Sequence, residues 1–364
     1  RIGRTGRAGA SGLAVTLVWG SDGRLVAGGT SRWGENYPDK TMVWDVQSGR
    51  LLWTLGENAG SIMDLSFSPD CKFLAAATTR WQGMQPVGGL LIWSMETGRV
   101  VAELPNRSLF SVSYSPDGRW LAMGDSVGRV LLWDVAAEKY VKEIHSHSQL
   151  TLDLAWRFDS QAVASCSRDG TVKIHSTSGD LLHEISGLRD TRRVTWSADG
   201  RELATGSFYG LVRVFHLGTD GPLERSRHGF GNVLGALRFT PDGQSLVVSA
   251  QSTGVRLVDP LSGVVQRELH AHNGVVRDVE FDASGLLMAT CGSDGNVKVF
   301  DLSHDEQSAA TRLDGGHIIA AHFLDEQRLI LGFGHNVDRP GIRFDGKAIR
   351  IWDVSTRKMV GHVG

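Results

Sequence analysis

Thirteen histidines give this chain its widest chemical reach. Two His-x-His pairs, His145/His147 and His270/His272, have a spacing that could offer two imidazoles to one metal ion. Neither pair stands near a cluster of Cys or carboxylates that would complete a ligand set. His317, His322 and His335 form a looser group, again without thiols, and no metal site is expected there. Ser, His and Asp are all abundant, yet no GxSxG nucleophile elbow occurs. With so many histidines, chance Ser-His-Asp groupings are expected, so no catalytic residue is assigned. Asp64, Asp153 and Asp278 recur at matching places in a repeated pattern. Recurrence favours a structural or surface role over one unique active site. Asn106-Arg107-Ser108 fits a glycosylation sequon, which is common by chance and matters only in a secreted protein. The expectation is therefore a chain that is not an enzyme and holds no cofactor or metal.

Bulk properties narrow the class further. Across 364 residues, 21% are charged and 41% hydrophobic, an ordinary globular balance that argues against extensive disorder. Glycine (45) and Trp (11) are frequent, whereas Tyr is rare (4). Many turn glycines with spaced aromatics suit an all-β protein of short strands. The net charge of -2 supplies no global field for nucleic acid or an anionic membrane. Cys71, Cys166 and Cys291 are far apart and form no CxxC pair, which fits a reducing, cytoplasmic setting. Cys166 and Cys291 fall where small apolar residues pack, while Cys71 replaces a turn glycine and is expected at the surface. No apolar run is long enough to span a bilayer as a helix. The chain begins at Arg1 without a Met, and it reads as a fragment or a processed form.

The elements that would carry these residues show in a repeat. Trp44-Asp45, Trp93-Ser94, Trp133-Asp134, His175-Ser176, Phe215-His216, Val258-Asp259, Phe300-Asp301 and Trp352-Asp353 follow one another along the chain. Each closes a short alternating apolar run such as Val130-Leu131-Leu132. An aromatic ends each candidate first strand: Trp19, Phe67, Tyr114, Trp156, Trp196, Phe239, Phe281 and Phe323. Turn sequences such as Ser115-Pro116-Asp117-Gly118 and Thr240-Pro241-Asp242-Gly243 come next, preset for a tight strand-to-strand reversal. Eight residues after each aromatic stands a small or aliphatic residue: Ala27, Ala75, Ala122, Ala164, Ala204, Val247, Ala289 and Leu331.

Residues 13–361 thereby resemble the WD-repeat β-propeller family. The resemblance implies an all-β fold, an eight-bladed propeller with four antiparallel strands, a to d, in each blade. One blade alone cannot bury both faces, so neighbours cover each other and ring closure protects the edges. His272, Thr290, Asp294 and Phe300 match the family's blade-stabilising His, Ser/Thr, Asp and Trp tetrad, with Phe300 unable to donate as Trp would. The fourth repeat keeps His147, Ser165 and Asp169 but has His175 in the Trp place. The His-x-His pairs fall in the d–a connection, where the family places its structural histidine.

The repeats differ in one place. From second-strand residue to third-strand marker the distance is 11 residues in repeats 3 to 7, but 17, 18 and 21 in repeats 1, 2 and 8. The extra residues lie in the b–c loops of blades that are neighbours in a closed ring. They carry Trp33 and Tyr37 in the first, Arg80, Trp81 and Met84 in the second, and His335, Arg339, Arg343 and Phe344 in the eighth. Trp, Tyr, Met and Arg are enriched at interface hot spots. These nine residues are the candidate partner-binding set. The competing reading is that Trp33 and Trp81 fold back as caps and the insertions are neutral, since loops tolerate insertion cheaply.

Arg1-Ile2-Gly3-Arg4-Thr5-Gly6-Arg7-Ala8-Gly9 resembles motif VI of DEAD-box RNA helicases, and the likeness continues through Gly12–Val18. It implies that Arg4 and Arg7 match arginines that reach ATP phosphates. No GxxxxGK[ST] loop or Asp-Glu-Ala-Asp motif accompanies it, so nothing would cradle nucleotide or Mg²⁺. Residues 1–12 read as a basic Gly-rich leader or a helicase-like remnant, and 13–364 as one propeller of eight repeats.

The functional expectation is a monomeric, non-catalytic scaffold that binds proteins or peptides, not membranes or nucleic acid. Two alternatives are a regulatory or sensor propeller at the C-terminal end of a larger, helicase-linked enzyme, and a propeller enzyme with a small molecule in its central channel.

Overall fold

The computed structural model describes residues 14–19, 25–31, 41–45, 51–56, 60–82, 85–231, 234–250, 254–269, 272, 276–281, 285–292, 296–303, 309–312, 317–323, 328–334, 349–353 and 358–363. These residues form four-stranded antiparallel sheets, eight among the described residues, each from four consecutive strands named a to d here. Sheet 1 comprises Ala14–Trp19, Leu25–Ser31, Thr41–Asp45 and Leu51–Leu55. Sheet 2 comprises Ser61–Phe67, Phe73–Gln82, Gln85–Ser94 and Val100–Pro105. Sheet 3 comprises Leu109–Tyr114, Trp120–Asp125, Arg129–Asp134 and Lys139–His145. Sheet 4 comprises Thr151–Trp156, Ala162–Ser167, Val172–Ser176 and Leu181–Ile185. Sheet 5 comprises Thr191–Trp196, Glu202–Ser207, Leu211–Gly218 and Gly221–Gly229. Sheet 6 comprises Leu234–Phe239, Leu246–Ala250, Gly254–Val258 and Val265–Leu269. Sheet 7 comprises Val276–Phe281, Leu287–Gly292, Asn296–Asp301 and Ala309–Arg312. Sheet 8 comprises His317–Phe323, Arg328–Gly334, Ile349–Asp353 and Lys358–Val363. No helix among the described residues is long and apolar enough to cross a membrane.

Each strand a packs beside strand a of the next sheet, and strand a of sheet 1 also lies beside strands a and b of sheet 8. The apolar core is divided among the gaps between sheets. Ala77 and Leu90 of sheet 2 meet Leu109, Leu121 and Met123 of sheet 3. Val130 and Leu132 of sheet 3 meet Leu154 and Val163 of sheet 4. Clusters of the same kind bridge sheets 4 and 5, and sheets 6 and 7. Burying a Leu or Met in such a gap is worth about 2–3 kcal/mol relative to leaving it exposed, so each sheet depends on its neighbours.

Pairing explains the two repeated markers. Ala75, Ala122, Ala164 and Ala204 each pair on both sides in the middle of their sheet and are fully buried, because a close-packed gap admits only a small side chain there. Trp44, Trp93, Trp133, His175, Phe215, Val258 and Trp352 each sit where the register between strands c and d shifts. A bulge at that point bends and twists the outer strand. The marker residue therefore holds a backbone irregularity that several side chains can fill.

Three expectations are corrected. In sheet 8, Phe323 pairs with Leu329, one residue nearer than the aromatic in sheets 1 to 7, so Ile330, not Leu331, takes the central position opposite His322 and Ile351. Residues 80–88 are not all loop: strand b of sheet 2 runs on through Arg80, Trp81 and Gln82, which pair with Val87, Pro86 and Gln85. Gly88 and Gly89 permit this extension, since a Cβ on either would collide with the backbone carbonyls of Thr78 and Leu104. Cys71 is buried, at 7% exposure, within the gap between sheets 1 and 2. Its φ of 57° copies the turn glycine it replaces, and Gly118, Gly200, Gly243 and Gly285 occupy the same turn position at φ between 69° and 76°.

Candidate functional site

One face of the structure collects the b–c and d–a connections. The backbone N–H of Arg107, His147, Leu188 and Phe230, all in d–a connections, donate to the carbonyls of Gly88, in strand c of sheet 2, and of Gly128, Gly170 and Gly210, in b–c turns. In sheets 2 to 5 the entry into the next sheet is thereby fastened to the sheet's own b–c hairpin.

The described candidate residues fall on this face as follows. Arg80 and Trp81 lie at the far end of the long sheet 2 hairpin. Trp33, Tyr37, Met84, His335, Arg339, Arg343 and Phe344 lie outside the described residues, as do the helicase-like residues 1–12, Asp294 and His270.

The most complete polar cluster belongs to sheet 4. The His147 ring shares hydrogen bonds with Thr171 Oγ1 at 2.7 Å and Ser165 Oγ at 2.9 Å. Thr171 Oγ1 donates to Asp169 Oδ1 at 2.7 Å, and the Ser148 N–H donates to Asp169 Oδ2 at 2.9 Å. A Thr hydroxyl that donates to Asp169 accepts from His147 Nδ1–H, which leaves Nε2 at 2.9 Å to compete with the Lys173 carbonyl at 3.3 Å for the Ser165 proton. A neutral imidazole satisfies the whole chain. Burial pushes His147 down to about 4, with Lys173 and His175 adding to the effect and Asp169 opposing it. Burial would raise the Asp169 carboxyl, but the bonds from Thr171 and Ser148 hold it below the usual carboxylate range. Ser165, His147 and Asp169 thus stand in nucleophile, base and acid order. Ser165 is 0% exposed and inside its sheet, so no substrate carbonyl can approach it. The cluster locks the b–c turn to the d–a connection.

His175 fills the Trp place of that cluster. It is buried, its Nδ1 has no partner among the described residues, and burial pushes it down to about 4. In sheet 7, His272 Nε2 shares a hydrogen bond with Thr290 Oγ1 at 3.0 Å, and Phe300 is buried. Among the described residues no group of three or more His, Cys, Asp or Glu is placed to hold a metal ion.

The recurrent carboxylates join sheets. Asp64 Oδ2 accepts the N–H of Val112 in sheet 3 at 3.0 Å, and Asp153 Oδ2 accepts that of Val194 in sheet 5 at 3.1 Å. The reverse direction uses tryptophans that the repeat flagged only as strand ends. Trp156 Nε1 donates to Ser113 O of sheet 3 at 2.9 Å, and Trp196 Nε1 to Ala155 O of sheet 4 at 3.0 Å. A further group, Arg192 in strand a of sheet 5 with Phe208 and Tyr209 in its b–c turn, carries none of the residue types of the repeat and was not legible in the sequence.

Comparison with known proteins places these features. The family model described as "WD domain, G-beta repeat" matches residues 49–81, 138–176 and 263–301. Protein groucho of Drosophila melanogaster is 28% identical over 188 residues, 50% of this chain and 25% of that protein. Protein FIZZY-RELATED 3 of Arabidopsis thaliana is 28% identical over 46% of this chain and 35% of its own length. Human WD repeat-containing protein 46 is 27% identical over 63% of this chain and 37% of its own length. The chain thus spans well under half the length of each of these relatives. Among solved structures, Chaetomium thermophilum Sqt1 bound to the N-terminus of ribosomal protein L10 superposes with a TM-score of 0.71 at 19% identity, over 85% of this chain and 91% of that one. The computationally designed Ika8 protein superposes with a TM-score of 0.75 at 18% identity, over 96% of this chain and all of that one. The chain carries WD40 repeats on an all-β propeller fold, and its sequence relatives are WD-repeat proteins.

Proposed function

We propose that this chain is a non-catalytic interaction scaffold, a closed ring of eight blades that binds proteins or peptides through the b–c connections of sheets 8, 1 and 2. The observation that carries this reading is the sheet 2 hairpin. Its two strands, Phe73–Gln82 and Gln85–Ser94, are the longest among the described residues and run past the rest of their sheet. They bring Arg80 and Trp81 to the face where the connections gather. Sheets 8, 1 and 2 are consecutive around the ring. Trp33, Tyr37, Trp81, Met84, His335, Arg339, Arg343 and Phe344 would supply aromatic and cationic anchors, and a rigid scaffold limits the entropy lost on binding. The Sqt1 structure, in which a related fold holds the N-terminus of another protein, is consistent with this class of partner.

A second reading, a propeller module within a longer protein, is favoured by the small share of each relative that the chain spans. It supplies a context for the scaffold and does not compete with it.

The test is an affinity pull-down comparing wild type with Trp33→Ala/Trp81→Ala/Arg343→Ala. Loss of specific partners by a variant with unchanged melting temperature is expected. Unchanged recovery would overturn the assignment of this arc.

A further inference from the structure

A second surface lies on the same face, on the arc of sheets 4 and 5, and uses none of the residues just discussed. It is built from three connections held together by backbone hydrogen bonds. The sheet 4 turn at 168–170 is fastened to the d–a connection by Leu188 N–H to Gly170 O at 2.9 Å. That connection is fastened to the sheet 5 b–c turn by Phe208 N–H to Asp190 O at 2.9 Å. Gly170 has a φ of 83°, and a Cβ there would overlap Leu188 O, so only glycine allows this approach.

The side chains on this frame are of two kinds. Arg192 makes a two-pronged ion pair with Asp190 (3.2 and 3.1 Å) and lies over the Phe208 ring, 4.1 Å from its centroid. Phe208 meets Tyr209 edge to face, with centroids 5.5 Å apart. Tyr209, at 63% exposure, is the most exposed large hydrophobic side chain among the described residues. Arg168 and Arg189, both exposed, stand on the same fastened connections, and Arg193, partly exposed, on the strand a that follows them. None of these three makes an ion pair among the described residues. The carboxylates nearby are already engaged, Asp190 by Arg192, Asp169 by the His147 cluster and Asp153 by the N–H of Val194. Four arginines thus stand with three occupied carboxylates in a chain whose overall charge is -2.

We infer that this surface of sheets 4 and 5 binds an acidic peptide segment of another protein, with Arg168, Arg189 and Arg193 pairing its carboxylates and Tyr209 covering an apolar side chain. Charge complementarity selects the sign of the ligand. A peptide fits better than a nucleic acid. Asp169 and Asp190 interrupt the basic surface and would repel a continuous phosphate backbone, and one exposed ring offers no platform for successive bases. The fastened turns and the Arg192-Phe208 stack hold the surface in its binding shape beforehand.

The probe is a short fluorescein-labelled peptide of alternating aspartate and leucine, titrated by fluorescence anisotropy against the full chain. Binding that weakens steeply with salt is expected, with at least about tenfold loss in Arg168→Glu/Arg189→Glu/Arg193→Glu and a smaller loss in Tyr209→Ala. Arg168→Gln/Arg189→Gln removes charge without reversing it and provides the test if the triple variant folds poorly. Lys139→Glu/Arg225→Glu, which changes exposed outer strands, is expected to bind as wild type does. No binding by wild type, equal loss in the outer-strand variant, or tighter binding of single-stranded oligouridine through the same arginines would each overturn the inference. Since none of these substitutions touches sheets 8, 1 or 2, failure here leaves the partner arc proposed above unaffected.

Discussion

Asp153 and Val194 sit on the inner strands of adjacent sheets, and the carboxylate of the first accepts the backbone N–H of the second at 3.1 Å. Strand a of sheet 4 also reaches the other way, through Trp156 Nε1 to Ser113 O. One strand therefore adds polar bonds to both neighbours of sheet 4, beside the packing between the sheets. Asp153→Ala leaves the Val194 N–H unpaired and is expected to lower stability by about 1–3 kcal/mol. Asp153→Asn keeps an acceptor and should cost less. Urea denaturation of the three proteins checks the order, and equal loss in both variants would show that the bond contributes little.

Trp156→Phe isolates the opposite bond. The ring remains in the gap between sheets 3 and 4, while the donor to Ser113 O is lost. A loss of about 1 kcal/mol is expected, against about 3–5 kcal/mol for Trp156→Ala, which also opens a cavity. Thermal denaturation distinguishes the two. Near-identical losses would mean that the hydrogen bond, not the ring, supplies most of the Trp156 contribution.

Much of this architecture was legible because it repeats. The aromatic-to-small spacing marked strands a and b wherever the turn kept its length, and it slipped by one residue at Ile330 where the turn shortened. The Trp-Asp positions looked decayed at His175, Phe215 and Val258. They nevertheless mark one backbone bulge, which constrains the chain more than it constrains the side chain. Inserted length betrayed the sheet 2 hairpin but not its form, since a loop and a strand extension add the same number of residues. Arg192, Phe208 and Tyr209 gave no signal: Phe208 and Tyr209 keep the spacing of the b–c turn but not its residue types, and their proximity to Arg192 arises from the pairing of Thr191 with Ser207 inside sheet 5.

His147 and His175 make stability fall in mild acid. Both are held near 4 by burial, below the value of about 6.5 in an unfolded chain. Between these values the unfolded state binds more protons, so stability is fully present above about pH 6.5 and is lost as pH falls toward 4. His147 alone accounts for up to about 3 kcal/mol over that range. His175→Phe removes one titrating ring together with its unpartnered Nδ1, and it is expected to flatten the dependence of melting temperature on pH between 6.5 and 4. A profile identical to wild type would show that His175 is not protonated on unfolding.

Ser160 offers a cleaner test of backbone strain than Cys71, whose side chain is packed in a sheet gap. Ser160 occupies the glycine place of its turn at a φ of 62°. Holding a residue with a Cβ in this left-handed region costs about 1–2 kcal/mol. Its hydroxyl offsets part of that by accepting the Asp117 N–H of the neighbouring sheet at 3.0 Å. Ser160→Ala loses the acceptor and keeps the strain, whereas Ser160→Gly loses the acceptor and releases it. The glycine variant should therefore exceed the alanine variant by about 1 kcal/mol, with wild type near the glycine variant because its two effects nearly cancel. Equal midpoints for the glycine and alanine variants in urea would show that the turn tolerates a Cβ without strain.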